Sequence, residues 1–401
     1  MNIRFLCGIL PADRYDDIIK SSKGSIQYAA DALQKSIITG LSSWSNSLSI
    51  INLPYIGSYP KRYRDFAIKP YEFEYKVGDI FVPGKNIGFC NLTAYKLFSR
   101  YQNAYKALVK GCDDSNQVIL IYAIHTPFLL AAARYKKKNP NVKIVLVVPD
   151  LPEYMAQTKS RLHSFLGNIN QCILRKLYCS IDGWVLLSEH MKERLPINDS
   201  PYTVVEGIFN HSDLLPIEHK PTYGRYVLYT GTLAKRYGIL NLLNAFIDLK
   251  MQDVKLVICG SGDAAKDIIK ASEIDSRIIY RGLVKREEAL ILQQNATLLV
   301  NPRTPEGEFT KYSFPSKTME YLASGIPTLL YKLPGIPSEY YDYCFSLTDL
   351  SVSALTEKLG YILSLSSDEL DEIGMRAKQF IYANKSPINQ TKKIVELINK
   401  L

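Results

Sequence analysis

The residues best suited to chemistry lie in the stretch 301–327, which reads NPRTPEGEFTKYSFPSKTMEYLASGIP. It follows an apolar segment typical of a buried strand, and Pro315 suits the first turn of the helix that comes next. The amides of Ser316 and Lys317 would then be unpaired at the positive end of that helix, with Glu320 one turn further on. Such a helix start binds phosphates, and a carboxylate accepts hydrogen bonds from sugar hydroxyls. The stretch predicts a site for a phosphorylated ligand.

A second candidate group lies earlier in the same half of the chain. Gly231 and Thr232 end an apolar strand pattern, and Lys235 and Arg236 follow just before a helical pattern. A glycine turn, a hydroxyl and two cations at a helix start would suit a diphosphate.

Gly260 and Gly262 end the next predicted strand in the same way. A dinucleotide-binding fingerprint is rejected, because GSGDAA lacks the third glycine and no acidic residue ends the following strand at the expected distance. A metal-dependent site would need carboxylates against the diphosphate. The only adjacent acidic pair near a strand start, Asp113 and Asp114, falls in a turn-like segment. The sequence therefore predicts no metal site.

Polar residues also end predicted strands in the first half of the chain. His125, Asp150 and the pair Ser188 and Glu189 take such positions, and ligands bind at the carboxyl edge of open α/β sheets. A lone histidine at a strand end is, however, more often structural than catalytic. Gly24 precedes a helical pattern, where a glycine lets backbone amides approach an anion closely.

The elements that position these residues alternate between strands and helices, as in an α/β protein. A chain of 401 residues is too long for one core and predicts two domains. We expect them at 1–205 and 223–385, joined by a linker at 206–222. A last helix at 386–401 could cross back to the first domain. Residues 53–90 have no clear period and are expected to form a long excursion for acceptor binding or membrane contact.

The net positive charge of the chain lies entirely in its first half. Residues 1–205 hold 26 Lys and Arg against 16 Asp and Glu, whereas residues 206–401 hold 23 of each. A solvated basic surface explains this, and so does attraction to an anionic surface. The segment LHSFLGNINQCILRKLYC, at 162–179, favours an interfacial helix over a nucleic-acid groove, although an amphipathic core helix explains it equally well.

Seven scattered cysteines without a Cys-x-x-Cys spacing favour a reduced, cytosolic chain. No targeting signal is recognised, and the longest apolar stretch is shorter than a bilayer requires.

Four segments, in this order and at these distances, carry a resemblance: YTGTLAKRYGILNLLNAF, VICGSGD, RGLV and YSFPSKTMEYLASGIP. They are similar to the nucleotide-sugar-binding half of family 4 retaining glycosyltransferases of bacterial polysaccharide type, over most of residues 225–331. The first domain matches more loosely, through SKGSIQYAADAL, IYAIHTPFLL and VVPDLPEYM. The resemblance implies the GT-B fold, with two Rossmann-like domains facing each other across a cleft.

The resemblance also implies residue roles. Glu320 matches the second glutamate of the family's Glu-x7-Glu motif, which binds the ribose. Lys235 or Arg236 would neutralise the leaving diphosphate, and His125 would approach the reacting sugar. Asp150 would lie on the acceptor side. The donor-binding positions are Gly24, Gly231, Thr232, Gly260, Gly262, Leu283, Val284, Tyr312, Phe314, Ser316 and Lys317, with Leu283 and Val284 beside the base.

The chain departs from the family pattern at three positions. Tyr312 stands where the first motif glutamate should be, so that Glu306 or Glu308 would have to replace its carboxylate. Thr232 and Tyr237 stand where the family often has an arginine and a lysine. Lys235 and Arg236, the shifted pair of cations before Tyr237, would have to neutralise the diphosphate in place of that arginine and lysine.

The resemblance implies a metal-independent, retaining hexosyltransferase that needs no cofactor. Its donor would be a nucleoside diphosphate sugar, with a UDP-sugar favoured. Its acceptor would be a glycan or a polyprenyl-diphosphate-linked glycan of a capsule or exopolysaccharide. No nucleic acid is expected as a partner. The protein would be cytoplasmic and bound peripherally to the anionic inner face of the cell membrane. Two alternatives stay open: a catalytically silent GT-B partner protein, and a GT-B sugar-nucleotide epimerase.

Overall fold

The computed structural model describes residues 2–24, 26–45, 47–111, 117–155, 161–210 and 223–401, without the side chains of residues 154–155 and 161–166. The chain divides into two compact units. Unit 1 consists of Met1–Ile208 together with Pro387–Leu401, and unit 2 consists of Phe209–Ser386. Most of the predicted linker, residues 211–222, lies outside the described residues.

Unit 1 contains an eight-stranded sheet in the order β10-β9-β8-β7-β1-β2-β5-β4. All its neighbouring strands are parallel except β4, which is antiparallel to β5. The strands are β1 (Asn2–Cys7), β2 (Ser47–Asn52), β3 (Ala67–Ile68), β4 (Tyr71–Val77), β5 (Ile80–Asn86), β6 (Phe89–Cys90), β7 (Gln117–Tyr122), β8 (Lys143–Val148), β9 (Gly183–Leu186) and β10 (Tyr202–Val204), with β3 and β6 forming a separate pair.

The helices of unit 1 are α1 (Tyr15–Ser21), α2 (Tyr28–Ser42), α3 (Lys96–Lys110), α4 (Thr126–Lys138), α5 (Pro152–Met155), α6 (Arg161–Tyr178) and the C-terminal α13 (Pro387–Ile398). Helix α13 packs on α2, where Gly40 allows a close approach. A Cβ atom on Gly40 would lie 2.1 Å from the carbonyl oxygen of Pro387. The last helix of the chain is therefore part of the core of unit 1.

The expectation for residues 53–90 was wrong in one respect. Much of this segment is strand, and β4 and β5 form a hairpin that extends the main sheet. Strand β4 reads YEFEYKV and alternates half-buried with exposed residues, as an edge strand does. Its apolar members are mostly aromatic and separated by charged residues, and for that reason the period was missed.

Unit 2 contains a six-stranded parallel sheet in the order β13-β12-β11-β14-β15-β16. Its strands are β11 (Arg225–Thr230), β12 (Val254–Cys259), β13 (Ile278–Gly282), β14 (Leu298–Asn301), β15 (Thr328–Tyr331) and β16 (Phe345–Leu347). Its helices are α7 (Ile239–Asp248), α8 (Ala265–Ile274), α9 (Arg286–Gln294), α10 (Ser316–Ser324), α11 (Val352–Ser364) and α12 (Ser367–Asn384). This strand order is that of a Rossmann-like sheet, with its switch point between β11 and β14.

Helix α10 differs slightly from the expectation. Pro315 is the N-cap residue and not part of the first turn, so that the helix begins at Ser316. Its end is as the sequence suggests, because Gly325 adopts a left-handed conformation with φ 84°. No helix of the described residues is long and apolar enough to cross a membrane.

Candidate functional site

The candidate residues of unit 2 collect at the carboxyl edge of its sheet. Gly231 follows β11, Gly260 follows β12 and Leu283 follows β13, and these three strands are parallel neighbours. Glu320 lies in α10, which is fixed to the end of β11 by Tyr321. The buried Tyr321 hydroxyl accepts a hydrogen bond of 2.8 Å from the amide of Thr230. The sheet therefore brings the predicted donor-binding segments to one edge.

Close packing of two loops explains why residues 260 and 262 are glycines. The loops after β11 and β12 bond to each other, with the Leu233 amide donating to the Ser261 carbonyl over 2.9 Å. A Cβ atom on Gly260 would lie 1.8 Å from the Gly231 carbonyl oxygen, and one on Gly262 would lie 2.2 Å from that of Leu233. These glycines allow two loops to touch, and a role in ligand binding stays a prediction.

Glu320 is held in place by two donors. Gln293 Nε2 and Lys317 Nζ each donate to its Oε1 over 2.6 Å, and its side chain is only 19% exposed. Gln293 is itself held by Thr230 Oγ1 at 3.0 Å. Arg286 Nη1 lies 4.0 Å from Oε2. Oε1 is thus fully occupied, and Oε2 is the oxygen left to accept from a ligand hydroxyl.

Charge and hydrogen bonding keep Glu320 ionised. Burial alone would raise the pKa of this carboxyl, but the charge of Lys317 and the hydrogen bonds from Lys317 and Gln293 outweigh burial and lower it. A half-buried, oriented carboxylate is a strong hydrogen-bond acceptor for the two hydroxyls of a ribose. Gln293 and Arg286 come from α9, in which sequence reasoning found no motif.

The two predicted cations after β11 differ in their surroundings. Lys235 Nζ is paired with Asp267 Oδ2 at 2.8 Å and is half exposed, so that its charge is already balanced. The Arg236 guanidinium instead lies 5.0 Å from the ring centroid of Tyr237 and 5.7 Å from that of Phe309. Arg236 is the more available cation for a ligand.

Arg303 is a third cation at this edge, which sequence reasoning missed. It follows β14 by two residues, and its guanidinium lies 5.2 Å from the Tyr237 ring and 4.8 Å from the Phe309 ring. The available signal was its position just after a buried strand, within the stretch 301–327.

Tyr312 and Phe314 are both buried. Phe314 packs in a core cluster with Met319, Leu333 and other apolar side chains, which gives it a structural role. The Tyr312 hydroxyl lies 3.5 Å from Glu308 Oε1. Glu306, the other suggested replacement for the missing motif glutamate, accepts a hydrogen bond from Thr304 Oγ1 over 3.2 Å. Contact of these four residues with a donor stays a prediction.

The remaining donor-site predictions lie on accessible parts of unit 2. Leu283 is 82% exposed, as a residue that covers a nucleobase could be, and Val284 is half-buried. The amides of Ser316 and Lys317 have no acceptor among the described residues. They are the free donors that the start of α10 offers to an anion.

His125 is the N-cap residue of α4 in unit 1. It follows Ala123, whose φ of 70° is unusual for a residue with a side chain. Its ring stacks edge-on against Phe128, with centroids 4.4 Å apart, and its Nδ1 is buried without a partner among the described residues. Burial first, and then the charges of Arg100 and Lys96, hold the pKa of His125 well below its usual range. The imidazole is therefore neutral at physiological pH.

Arg100 and Lys96 in α3 are functional candidates that sequence reasoning missed. The fully buried Arg100 guanidinium donates to the carbonyls of Leu53 and Pro54 over 2.8 and 2.9 Å. Burial first, and then the Arg100 charge, lowers the pKa of Lys96 to about 7. The signal for Arg100 was its spacing to the buried Ala104 and Leu108, which lie on the same helical face.

The remaining residues predicted for the site in unit 1 are Asp150 and Gly24. Asp150 is exposed and follows β8, the neighbour of the strand that precedes His125. Gly24 lies beside Arg62 and does not directly precede a helix, since α2 begins only at Tyr28. The segment 66–90 lines a cavity of about 1200 Å³ together with α3. The acidic pair at 113–114 lies outside the described residues.

Comparison with known proteins gives a class of fold and one family match. Over the whole chain, the structure is similar to a sucrose-phosphate synthase from Thermosynechococcus elongatus, with a TM-score of 0.64, 12% identity and coverage of 100% of this chain and 99% of that chain. It is also similar to HepE from Anabaena in complex with UDP, with a TM-score of 0.62, 14% identity and full coverage of both chains. The lipopolysaccharide outer core galactosyltransferase WaaB, in its apo form, has a TM-score of 0.60, 16% identity and full coverage of both chains.

These likenesses show that the chain has the GT-B fold of two Rossmann-like domains. Residues 213–380 match the family of glycosyl transferases group 1. That match covers most of unit 2, in which the four motifs lie. A comparison with curated proteins gave no match.

Proposed function

We propose that this protein is a retaining glycosyltransferase that moves a sugar from a nucleoside diphosphate sugar to a glycan or lipid-linked acceptor in polysaccharide synthesis. The observation that carries the proposal is Glu320, a half-buried, ionised carboxylate beside the open start of α10. Among the described residues, its Oε2 has only the Arg286 guanidinium near it, at 4.0 Å. This arrangement suits a ribose next to a phosphate. The family match of residues 213–380 supports it.

The proposed reaction needs negative charge to be stabilised on the departing diphosphate. Arg236 and the amides of Ser316 and Lys317 are the groups of unit 2 placed to supply this. No metal ion takes part in this scheme, and the leaving phosphate itself accepts the proton of the acceptor hydroxyl. His125 is assigned to the reacting sugar, and its neutral ring suits hydrogen bonding to a hydroxyl.

A UDP-sugar is the favoured donor. HepE, one of the structures with this fold, is described in complex with UDP and with UDP-glucose. The exposed Leu283 and the half-buried Val284 would contact the base. The acceptor is proposed to bind at the carboxyl edge of unit 1, where Asp150 follows β8.

Peripheral binding to an anionic membrane is proposed for unit 1. Exposed apolar side chains surround the start of α3: Phe66, Leu92, Tyr95 and Phe98. Their segments are joined by a 2.7 Å hydrogen bond from the Asn91 amide to the Phe66 carbonyl. Residues 61–64 of the same surface read KRYR. Aromatic side chains among cations suit a lipid interface.

Helix α6, the interfacial helix suggested by the sequence, exposes Ile169 and Ile173 while Leu174 is buried. It therefore offers a second, smaller apolar surface. Sedimentation with anionic vesicles should retain the protein at low salt and release it as salt rises. Retention that ignores salt, or that occurs equally on zwitterionic vesicles, would contradict this part of the proposal.

Turnover of a panel of nucleoside diphosphate sugars tests the enzymatic proposal. Thermal shift first identifies the donor, because a bound donor stabilises only the folded protein. We expect Glu320→Gln to lower kcat/KM about a hundredfold, the effect of losing charged hydrogen bonds of about 1.5–3 kcal/mol. Glu369→Gln, at the exposed start of α12, is the matched control and should leave turnover unchanged.

Two other outcomes would favour the alternatives. Donor binding without any sugar transfer or hydrolysis would indicate a silent partner protein. Conversion of the donor to an epimer without an acceptor, seen by chromatography of the released nucleotide sugar, would indicate an epimerase. Transfer with inversion at the anomeric carbon would contradict the retaining assignment alone.

A further inference from the structure

We propose that Arg303 is the second cation of the donor-diphosphate site, paired with Arg236 around the Tyr237 ring. The inference rests on the proposed function, because it assigns a residue to the phosphates of the proposed donor. It gives a role to a residue that belongs to none of the four sequence motifs.

The first observation is that both guanidiniums contact the same two aromatic side chains. Arg236 lies 5.0 Å from the Tyr237 ring and 5.7 Å from the Phe309 ring. Arg303 lies 5.2 Å and 4.8 Å from the same rings. Tyr237 and Phe309 are neighbours, with centroids 6.2 Å apart. The two arginines, although 67 positions apart in the chain, form one cluster with this aromatic pair.

The backbone explains how Arg303 reaches the start of α7. Gly238 caps that helix with φ 76°, and a Cβ atom there would lie 2.1 Å from the Pro302 carbonyl oxygen. The loop after β14 therefore packs directly on the helix start, which places Arg303 next to it. The positive end of α7 adds to the two guanidiniums.

In the described part of the chain, the two arginines have no carboxylate counter-ion. Among the described residues, no carboxylate oxygen lies within the 4.0 Å of a salt bridge from Arg236 or Arg303. Arg303 Nη2 donates to Ser313 Oγ over 3.0 Å, and its Nε is buried without a partner in the described part of the chain. Burial first lowers the pKa of Arg303, and the neighbouring Arg236 charge lowers it further.

The like charges of the exposed Arg236 and the half-buried Arg303 disfavour each other. A diphosphate bound between them would relieve this repulsion and satisfy the unpaired donors. The expected lysine of the motif is replaced by Tyr237, and Arg303 packs on that tyrosine. Lys235, the other expected replacement, is already paired with Asp267. Arg303 thus supplies, from a different loop, the cation that the motif lacks.

Titration calorimetry with a nucleoside diphosphate and its monophosphate tests this assignment. The pair is chosen from UDP, GDP, ADP and CDP by the largest thermal shift. We expect Arg303→Met to weaken diphosphate binding about tenfold to a hundredfold, as for loss of a charged hydrogen bond. Binding of the monophosphate should change less than about threefold by the same reasoning. Lys250→Met, which removes an exposed cation beyond the far end of α7, serves as the control and should stay near wild type.

Arg303→Lys separates charge from structure, because it keeps a cation in the same loop. We expect it to recover part of the diphosphate affinity that Arg303→Met loses. If Arg303→Met binds the diphosphate within about twofold of wild type, the assignment is overturned. Such a change in affinity corresponds to a loss of less than about 0.5 kcal/mol in binding free energy. Equal weakening of mono- and diphosphate would also overturn it, since the loop alone would then be responsible.

A further arm uses a nucleotide linked to an acidic sugar, UDP-glucuronic acid. Weakening of this ligand without weakening of UDP would show that Arg303 binds a sugar carboxylate, which would also overturn the diphosphate assignment. If the wild type bound no nucleoside diphosphate, the proposed function would fall together with the inference. If it binds one and Arg303→Met binds equally well, only the inference falls.

Discussion

The carboxyl edges of the two sheets are built in opposite ways. In unit 2, glycines allow the loops at this edge to pack closely. The amides at the start of α10 and the side chain of Arg236 are left accessible to a ligand. In unit 1 the edge is made of large side chains, with Arg100 buried beneath Tyr55 and Phe128 and bonded to carbonyls. The edge of unit 2 therefore has space for an anionic ligand. In unit 1 the corresponding space is occupied by the guanidinium of Arg100. The comparison suggests that unit 2 binds the phosphates and that unit 1 shapes the surroundings of His125.

The largest expected effect comes from filling the contact between the two glycine loops of unit 2. Gly260→Ala would place a Cβ atom 1.8 Å from the Gly231 carbonyl oxygen, at a φ of 140° that is open to glycine alone. We expect a loss of more than about 3 kcal/mol in the free energy of unfolding of unit 2, from backbone strain and overpacking together. Urea unfolding followed by far-UV circular dichroism measures it.

Gly282→Ala is the matched control for this comparison. Its φ of 65° is also positive, but nothing lies within 4 Å of the added atom. It should cost only about 1–2 kcal/mol, the strain of a left-handed residue. Both tryptophans, Trp44 and Trp184, belong to unit 1, so that their fluorescence reports whether unit 1 unfolds separately. If the two alanine variants lose equal stability, close backbone contact is not the reason for Gly260.

Local pattern was enough to predict most of the edge in unit 2. A strand, a glycine turn and a helix start follow one another within a few residues at each position, so that Glu320 and Gly260 could be placed from sequence. Arg303 could not be assigned a partner, because its contact with Tyr237 is set by the pairing of β11 with β14, which no local pattern encodes. Tertiary packing also places Phe314 in a core cluster, which its position in the motif did not indicate.

Unit 1 was less predictable for the same physical reason. His125 was found at a strand end, but the group that surrounds it comes from separate segments: Tyr55 after β2 and Arg100 from α3. Their meeting depends on β7, β1 and β2 lying side by side. The sequence pattern did not predict edge strand β4, because its alternating aromatic and charged residues do not show the apolar period of a typical strand. Contacts between distant segments were beyond the reach of motif spacing.

The next effect in size concerns the buried cation of unit 1. Arg100→Met would leave the carbonyls of Leu53 and Pro54 without their donors in a buried place. We expect a loss of about 2–4 kcal/mol in the free energy of unfolding, the cost of two unsatisfied acceptors less the relief of removing a buried charge. Tryptophan fluorescence during urea unfolding is the measurement.

Arg134→Met controls for the loss of a positive charge and of an aromatic contact. Arg134 is exposed, and its guanidinium donates to the Tyr101 hydroxyl over 2.7 Å and lies 4.4 Å from the Tyr105 ring. It should change stability by about 0.5 kcal/mol or less. A similar small change in Arg100→Met would remove the contrast between the two edges, because the cation of unit 1 would then be dispensable for its structure.

The smallest effect is a pH dependence of unit 1 that unit 2 should not share. Lys96 begins α3, donates to the Ile56 carbonyl over 2.5 Å and has a pKa lowered to about 7. The groups that face it are the Arg100 cation and the neutral His125 ring, and the positive helix start also opposes its charge. In the unfolded chain its pKa returns to about 10.4. Between these two values the unfolded state binds more protons, so that the free energy of unfolding rises with pH.

Comparison with Lys96→Met isolates this contribution, because methionine does not titrate. The penalty of the buried charge is fully present below pH 7 and is relieved as the amine loses its proton above it. The stability of wild type relative to Lys96→Met should therefore increase by about 1–2 kcal/mol from pH 6 to pH 9, a figure reduced for the amine's access to water. Lys106→Met, an exposed change in the same helix, should show no such slope. If the stability difference between wild type and Lys96→Met stays constant or falls with pH, the Lys96 amine keeps its proton through this range. The edge of unit 1 would then carry a permanent positive charge at Lys96 in spite of its partial burial.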